Sequence, residues 1–253
     1  MTFYELYNKI DALYPKSLSC EWDNDGIMCM VYPNAQVKKV LISLDITEDV
    51  VDFAIKEGFD TIISHHPLVF KSQKSMSIES YTQRKLIKLI KSNLNVMSFH
   101  TRLDAGKGGV NDTLCEILGF NSSKIDEIDP IGRIVVLDEV KTLSDFANTV
   151  KDKLGSPMVL CSGNKEVKRI YIVGGDGKDL IDAAIANGAD TLLTGRASYN
   201  TMIDAKDMGI NIIEAGHFYT ENPVCTTIER IVLDADSTIE TYKHFSNNIE
   251  IIK

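Results

Sequence analysis

Phe59-Asp60-Thr61-Ile62-Ile63-Ser64-His65-His66-Pro67 decides how the rest of the chain is read. An apolar run closes on two adjacent histidines, and a proline, which has no backbone N–H to give a sheet, keeps the strand from continuing. Upstream, Val40-Leu41-Ile42-Ser43-Leu44 reads as another buried strand, and Thr47 can cap a helix running over Val50, Val51, Ala54 and Ile55 to Gly58. Downstream come a polar segment (Lys71 to Ser80), a helix near Thr82–Lys91, and a strand from Leu94 to Phe99 that ends at His100. Before all of these, Phe3, Leu6, Tyr7, Ile10 and Leu13 recur at a helical period that Pro15 stops. Strands alternating with helices in this way predict an α/β fold, a mostly parallel sheet covered by helices.

The pattern occurs twice. Residues 40–64 overlay residues 170–194 without a gap, and eight of the 25 pairs are identical, Gly58/Gly188, Asp60/Asp190 and Thr61/Thr191 among them. Further on, a strand from Asn211 runs to Gly216-His217 as the strand from Asn95 runs to His100, so that His100-x-x-x-Asp104 pairs with His217-x-x-x-Glu221. The repeat predicts two related α/β domains, 1–125 and 126–253, joined by the polar stretch near Asn121–Pro130, with a metal site between them. Each would present a histidine and a carboxylate at the carboxyl ends of its strands, where open α/β sheets place ligands. The halves are not equivalent, because His65-His66 corresponds to Gly195-Arg196.

The chain has five histidines, and four of them (His65, His66, His100 and His217) fall where a strand ends. Any one histidine in an apolar context is more often a hydrogen-bonded structural residue than a ligand. The joint pattern outweighs that reading, because imidazole and carboxylate together are what a divalent transition metal takes up. Neighbouring side chains on a strand point to opposite faces, so His65 and His66 share a site only if the chain turns there, as Pro67 favours. The expected ligands are His65, His66, Asp104, His217 and Glu221, around two divalent ions per subunit (zinc, iron or manganese). Ions ~3.5–4 Å apart polarise a substrate oxygen and activate water at neutral pH. His100 and Glu221 are the candidates for handling protons in such a reaction.

Other motifs say less. Glu21 to Gly26, around the only tryptophan, reads as a polar turn, and His244 is expected at the surface. Gly174-Gly175-Asp176-Gly177 resembles a phosphate-cradling turn but lacks dinucleotide spacing, so a tight connection is the better reading; Gly106-Lys107-Gly108-Gly109 is equally ambiguous. No Gly-x-Ser-x-Gly elbow, Walker loop or His-Glu-x-x-His occurs. With 253 residues, 44% apolar and 25% charged, the chain is of ordinary globular composition, long enough for roughly two domains. A net charge of −9 disfavours nucleic acid without excluding a small phosphorylated ligand held through metal ions. Five scattered cysteines without a Cys-x-x-Cys pair, no basic-then-apolar N-terminus and no apolar run approaching ~18 residues predict a reduced, cytoplasmic protein that does not enter a membrane.

Leu44-Asp45-Ile46-Thr47, Ser64-His65-His66-Pro67-Leu68-Val69-Phe70, His100-Thr101-Arg102-Leu103-Asp104, Gly108-Gly109-Val110-Asn111-Asp112 and Gly216-His217-Phe218-Tyr219-Thr220-Glu221 together resemble the Nif-three-like dinuclear metal protein family. Its members are often labelled homologues of GTP cyclohydrolase I, type 2. Trp22-Asp23-Asn24-x-Gly26 and Gly174 to Gly177 fit as well, so the resemblance, to a short form of the family, runs over nearly the whole chain. It implies a toroidal homohexamer built from dimers, with two ions per subunit facing its cavity. By matching positions, His66 and Asp104 would hold one ion, His65 and His217 the other, and Glu221 would bridge them, with His100 beside the site. Arg196 and Asn200 stand where a glutamate and a histidine are expected, and Arg196 could attract an anionic group. The resemblance implies a metal-dependent hydrolase acting on a nucleotide-like or other phosphorylated small molecule, ring-opening of GTP being its most specific form. The alternatives are a non-enzymatic protein that binds, stores or delivers iron or zinc with the same ligands, and a regulatory protein touching nucleic acid, which the acidic balance disfavours.

Overall fold

Two sheets, one of five strands and one of six, organise a computed structural model that describes residues 1–120, 126–127 and 131–252. Contacts divide the chain into two units, Met1–Leu103 with Val224–Asn248, and Asp104–Pro223 with Ile249–Lys253. A single cut between residues 125 and 126 would assign the C-terminal strand to the second half; instead it pairs in the first sheet, so the chain returns to where it began. The polar connection expected near Asn121–Pro130 lies outside the described residues, apart from the two-residue strand Asp126–Glu127.

In the first unit the strand order is β1-β4-β3-β2-β11, with β1 spanning Gly26–Cys29, β2 Lys39–Ser43, β3 Thr61–Ser64, β4 Asn95–Ser98 and β11 Glu240–His244. All neighbours are parallel except β1, which runs antiparallel to β4 at the edge. Thr47 caps α2 (Glu48–Lys56) by accepting from the Val50 N–H, and acidic residues in the first turn and Lys56 in the last complement the helix dipole. One face of the sheet, from Leu41, Ile62 and Val96, is buried with Val50, Val51 and Ala54 of α2 and Leu89 of α3 (Tyr81–Lys91). Val40, Ile42, Ile63 and Met97, at the alternate strand positions, are also buried. α10 (Val224–Ala235) packs on β2 and β11, and α1 (Phe3–Leu13), started by a capping box at Thr2, packs on α10. A sheet covered on both faces explains why these strands read as continuous apolar runs. His244, expected at the surface, is half-buried at the end of β11, edge-on to Phe53 with ring centroids 4.9 Å apart.

The second unit has the order β5-β6-β8-β9-β10-β7: β5 Asp126–Glu127, β6 Arg133–Lys141, β7 Leu160–Ser162, β8 Val167–Asp176, β9 Thr191–Arg196 and β10 Asn211–Glu214. The central three, β8, β9 and β10, are parallel; β5, β6 and β7 add antiparallel edges. One buried cluster joins Ile170, Ile172 and Leu193 to α5 (Val110–Leu118) and α6 (Leu143–Leu154), and another joins Tyr171, Leu192 and Ile212 to α7 (Ile181–Ala186) and α8 (Tyr199–Met208).

The repeat has a structural basis in the residues it keeps. Val40 pairs with Thr61 in the first sheet as Ile170 pairs with Thr191 in the second, and the register then advances in step. Asp60 accepts from the backbone N–H groups of Lys38 and Lys39, and Asp190 does the same for Lys168 and Arg169. Gly58 and Gly188 both sit at positive φ, +71° and +69°, where a turn leaves the helix for the next strand. Asn95 and Asn211 each begin a strand and accept from the N–H of a neighbouring loop, at Val31 and Lys165. Among the described residues no helix is long and apolar enough to cross a membrane.

Candidate metal centre

His65, His66 and His100 come together within the first unit, just past the carboxyl ends of β3 and β4. Their ring nitrogens include a set lying within 4.8 Å of one another, with His65 buried and the other two half-buried. The backbone of 65 and 66 still donates to the carbonyls of Ser43 and Leu44, and the chain then bends into Pro67, which puts both rings on one site. Ring centroids of His65 stand 5.0 Å from those of His66 and 5.2 Å from those of His100.

Each of the three rings is held through Nδ1. His65 Nδ1 lies 2.9 Å from the Phe99 carbonyl, His66 Nδ1 2.8 Å from Asp45 Oδ1, and His100 Nδ1 2.9 Å from Asp23 Oδ1. A carbonyl or carboxylate oxygen only accepts, so Nδ1 carries the proton and Nε2 of the neutral ring is left as the ligating nitrogen. Metal-binding histidines are oriented in this way, by an acceptor on the other ring nitrogen. The donor set therefore fits a divalent transition metal.

The acceptor for His100 comes from a loop, Glu21 to Gly26, that reads as a plain turn in the sequence. Asp23 is buried; besides His100 it accepts from Thr101 N (3.1 Å) and Thr101 Oγ1 (2.6 Å). Burial alone would raise its carboxyl, but the hydrogen bond from His100 and the two Thr101 bonds outweigh it and hold the group well below the usual carboxylate range. Asp25, also buried, takes Arg102 Nε at 2.8 Å and the His100 N–H at 3.1 Å, and pairs with Lys16. Burial again pushes upward and is outweighed, here by Arg102 and Lys16. The run His100-Thr101-Arg102 is thus pinned at three successive residues. Neither aspartate nor Asp45 carries a signal in composition or periodicity; only the motif matches Trp22-Asp23-Asn24-x-Gly26 and Leu44-Asp45-Ile46-Thr47 point to them.

In the second unit, α9 (His217–Glu221) places His217 Nε2 2.8 Å from Glu221 Oε2, with the carboxylate buried and the imidazole more open. α9 packs on β8 and β9, and glycines make that approach possible. A Cβ at Gly195 would lie 2.4 Å from Thr220 Oγ1 and 2.8 Å from the His217 Cα. This is the position matching His65, so a second double histidine has no room here. Gly174 to Gly177 is a tight connection at the end of β8 rather than a phosphate cradle: a Cβ at Gly175 would meet Glu221 Oε1 at 2.0 Å, and one at Gly177 would meet Thr194 Oγ1 at 2.4 Å. Gly106 to Gly109 is likewise a connection, tied by Asp112, which accepts from Gly108 N and binds Arg133. Asn111 on α5 accepts from Gly174 N (2.7 Å) and donates to the Asp104 carbonyl (3.1 Å). Asp104 itself lies on the short helix α4 (Thr101–Ala105).

Gly175→Ala tests this reading. The clashing atom is the end of a side chain, so the backbone can stay and the Glu221 carboxylate must move; the positive φ adds a cost of about 1–2 kcal/mol. The variant is expected to unfold at lower urea and to bind zinc more weakly, and wild-type affinity in a zinc titration would contradict the packing described.

Strand register corrects one detail of the repeat. Phe99 N donates to Ser64 O as Ala215 N donates to Thr194 O, so His100 corresponds to Gly216 and not to His217. Gly216, at φ +90°, precedes α9, and His217 opens that helix, whereas His100 stands just before α4. Arg196 lies exposed at the end of β9 and Asn200 exposed on α8.

The fold and these side chains define an α/β protein with imidazole and carboxylate groups that could hold metal. Residues 1–249 match the family described as Duf34/NIF3 (NGG1p interacting factor 3), and the chain belongs to that family. A Clostridium perfringens protein named GTP cyclohydrolase 1 type 2 homolog is 37% identical over 249 residues, 95% of each chain. The Schizosaccharomyces pombe protein NIF3 homolog is 28% identical over 86% of this chain and 84% of its own. Among solved structures, a Staphylococcus aureus hypothetical protein superposes with a TM-score of 0.89 at 27% identity, covering 100% of this chain and 99% of the other. Reduced HcgD from Methanocaldococcus jannaschii gives 0.84 at 26% identity, covering 96% and 97%.

Proposed function

We propose that this chain binds two divalent ions and uses them to hydrolyse a phosphorylated or nucleotide-like small molecule. The observation that carries the reading is the orientation of His65 and His66, each with Nδ1 on an acceptor so that Nε2 is the nitrogen that would ligate, and with His100 held in the same way beside them. His65 and His217 would hold one ion, His66 and Asp104 the other, with Glu221 bridging. Such ions would be zinc, iron or manganese, and when bound they supply Lewis acidity and a water activated at neutral pH.

The protein's own part is positional and protonic. Asp45 and the Phe99 carbonyl hold two imidazoles in one tautomer. Asp23 holds the third, His100, whose Nε2 can take or give a proton at the substrate. Glu221, buried beside His217, is the second candidate for proton handling. The names of curated relatives make ring-opening of GTP the most specific form of the reading. A toroidal homohexamer belongs to the same proposal, and light scattering at about six times the chain mass would support it.

A panel of nucleotides and phosphate esters, assayed on zinc-, iron- and manganese-loaded protein, tests the enzyme reading. Turnover that disappears in Glu221→Ala is expected. Two bound ions with no turnover in any metal form would favour a binding, storage or delivery protein instead.

A further inference from the structure

A cavity of about 730 Å³ in the first unit has both His66 and Lys85 in its lining. Lys85 is only 8% exposed, deep for an ammonium group. Its Nζ donates to the Ile46 carbonyl at 2.5 Å and lies 5.4 Å from the centre of the Tyr81 ring. Among the described residues no carboxylate lies within ion-pair distance of it. The two acidic side chains on the cavity wall have other partners: Glu48 pairs with Arg84 at 2.5 Å, and Asp45 accepts from His66. Burial pushes the Lys85 ammonium down, the charges of Glu48 and Asp45 offset only part of that, and a bound anion would offset more. The amino end of α2 also borders the cavity at Thr47 and Glu48, adding partial positive charge.

We infer that Lys85 holds the phosphate of a small phosphorylated ligand in this cavity, with the rest of the molecule reaching back toward His66. The inference rests on the metal-centre reading above and assigns the residue that would hold the substrate's phosphate. An ammonium group serves phosphate as a compact point charge, and the cavity volume is that of an ordinary small-molecule site. Phe70, 47% exposed on the same wall, offers a flat apolar surface to a ring.

The test uses AMP and adenosine, which differ only in the phosphate, on the full chain with its zinc content measured in the same samples. Wild type is expected to bind AMP about tenfold or more tighter than adenosine, as a charge-assisted contact would give. Lys85→Met should erase that preference. Because the variant loses the bond to Ile46 and could fold poorly, a second measurement uses wild type alone. Acetic anhydride labelling of Lys85, read by peptide mass spectrometry, should be slowed by AMP and not by adenosine. Equal binding of the two compounds by wild type, a preference retained in Lys85→Met, or labelling unaffected by AMP would each overturn the inference. The two readings fail separately: protein without zinc whose Lys85 AMP still protects would remove the metal centre and keep this site, and zinc-loaded protein without protection would do the reverse.

Discussion

Replacing Arg102 with methionine is expected to destabilise the protein by about 3–5 kcal/mol, the usual cost of leaving one member of a buried ion pair alone. Arg102 is fully buried. Its Nε and Nη2 meet the two oxygens of Asp25 at 2.8 and 3.1 Å, and its Nη1 reaches Asp11 at 2.7 Å and the Tyr14 carbonyl at 3.0 Å. Methionine fills part of the space but leaves the Asp25 carboxylate, buried and 0% exposed in its side chain, with only Lys16 to balance it. The loss should appear as a fall in the urea midpoint with the slope unchanged. It should also depend on pH in a definite direction. The Asp25 carboxyl is depressed in the folded chain from its ordinary 3.8, so its stabilisation is fully present above that value and is lost as pH falls through the lower folded value. The gap between wild type and Arg102→Met should therefore narrow below about pH 4. A variant as stable as wild type at pH 7 would mean that the pair does not anchor the strand-to-helix turn that carries His100.

The second large effect concerns metal. Asp45→Ala removes no ligand, yet it is expected to weaken zinc binding about 10–100-fold, because Asp45 fixes the tautomer and direction of the His66 ring it holds. Chelator-competition titrations would read the affinity and elemental analysis the stoichiometry, which should stay at the wild-type value at saturating zinc. Asp52→Ala is the control: Asp52 is exposed on α2, pairs with Lys88 and touches no histidine. Equal affinities in Asp45→Ala and Asp52→Ala would show that the His66 imidazole is not oriented through Asp45.

What the sequence reveals and what it hides divide along a physical line. The buried parallel strands are legible because both faces are covered, so Val40 to Ile42 and Ile170 to Val173 are apolar without a break. The repeat is legible because its identities, Asp60/Asp190 and Gly58/Gly188, do the same backbone work in both sheets. The histidines stand out through their placement at strand ends. Hidden are the contacts made by short polar side chains across long sequence distances: Asp23 to His100, Asp25 to Arg102, and Asp45 to His66. No local pattern announces them, and a turn of Asp, Asn and Gly satisfies every local rule without them. The return of β11 to the first sheet is hidden for another reason. Glu240-Thr241-Tyr242-Lys243-His244 is an edge strand and carries too little apolar character to be read as one. Gly175 looks like a phosphate-loop glycine, and only the packing of α9 shows that it makes room for Glu221, as Gly195 does for Thr220.

The central claim is that these histidines and carboxylates hold metal. It is tested most directly by elemental analysis of protein purified without chelator or added metal, beside the double variant His65→Ala/Glu221→Ala. About two ions per chain in wild type, as a dinuclear site requires, and none in the double variant is the expected result. Wild-type protein that stays metal-free after reconstitution with zinc, iron and manganese, or a double variant that keeps its ions, would contradict it.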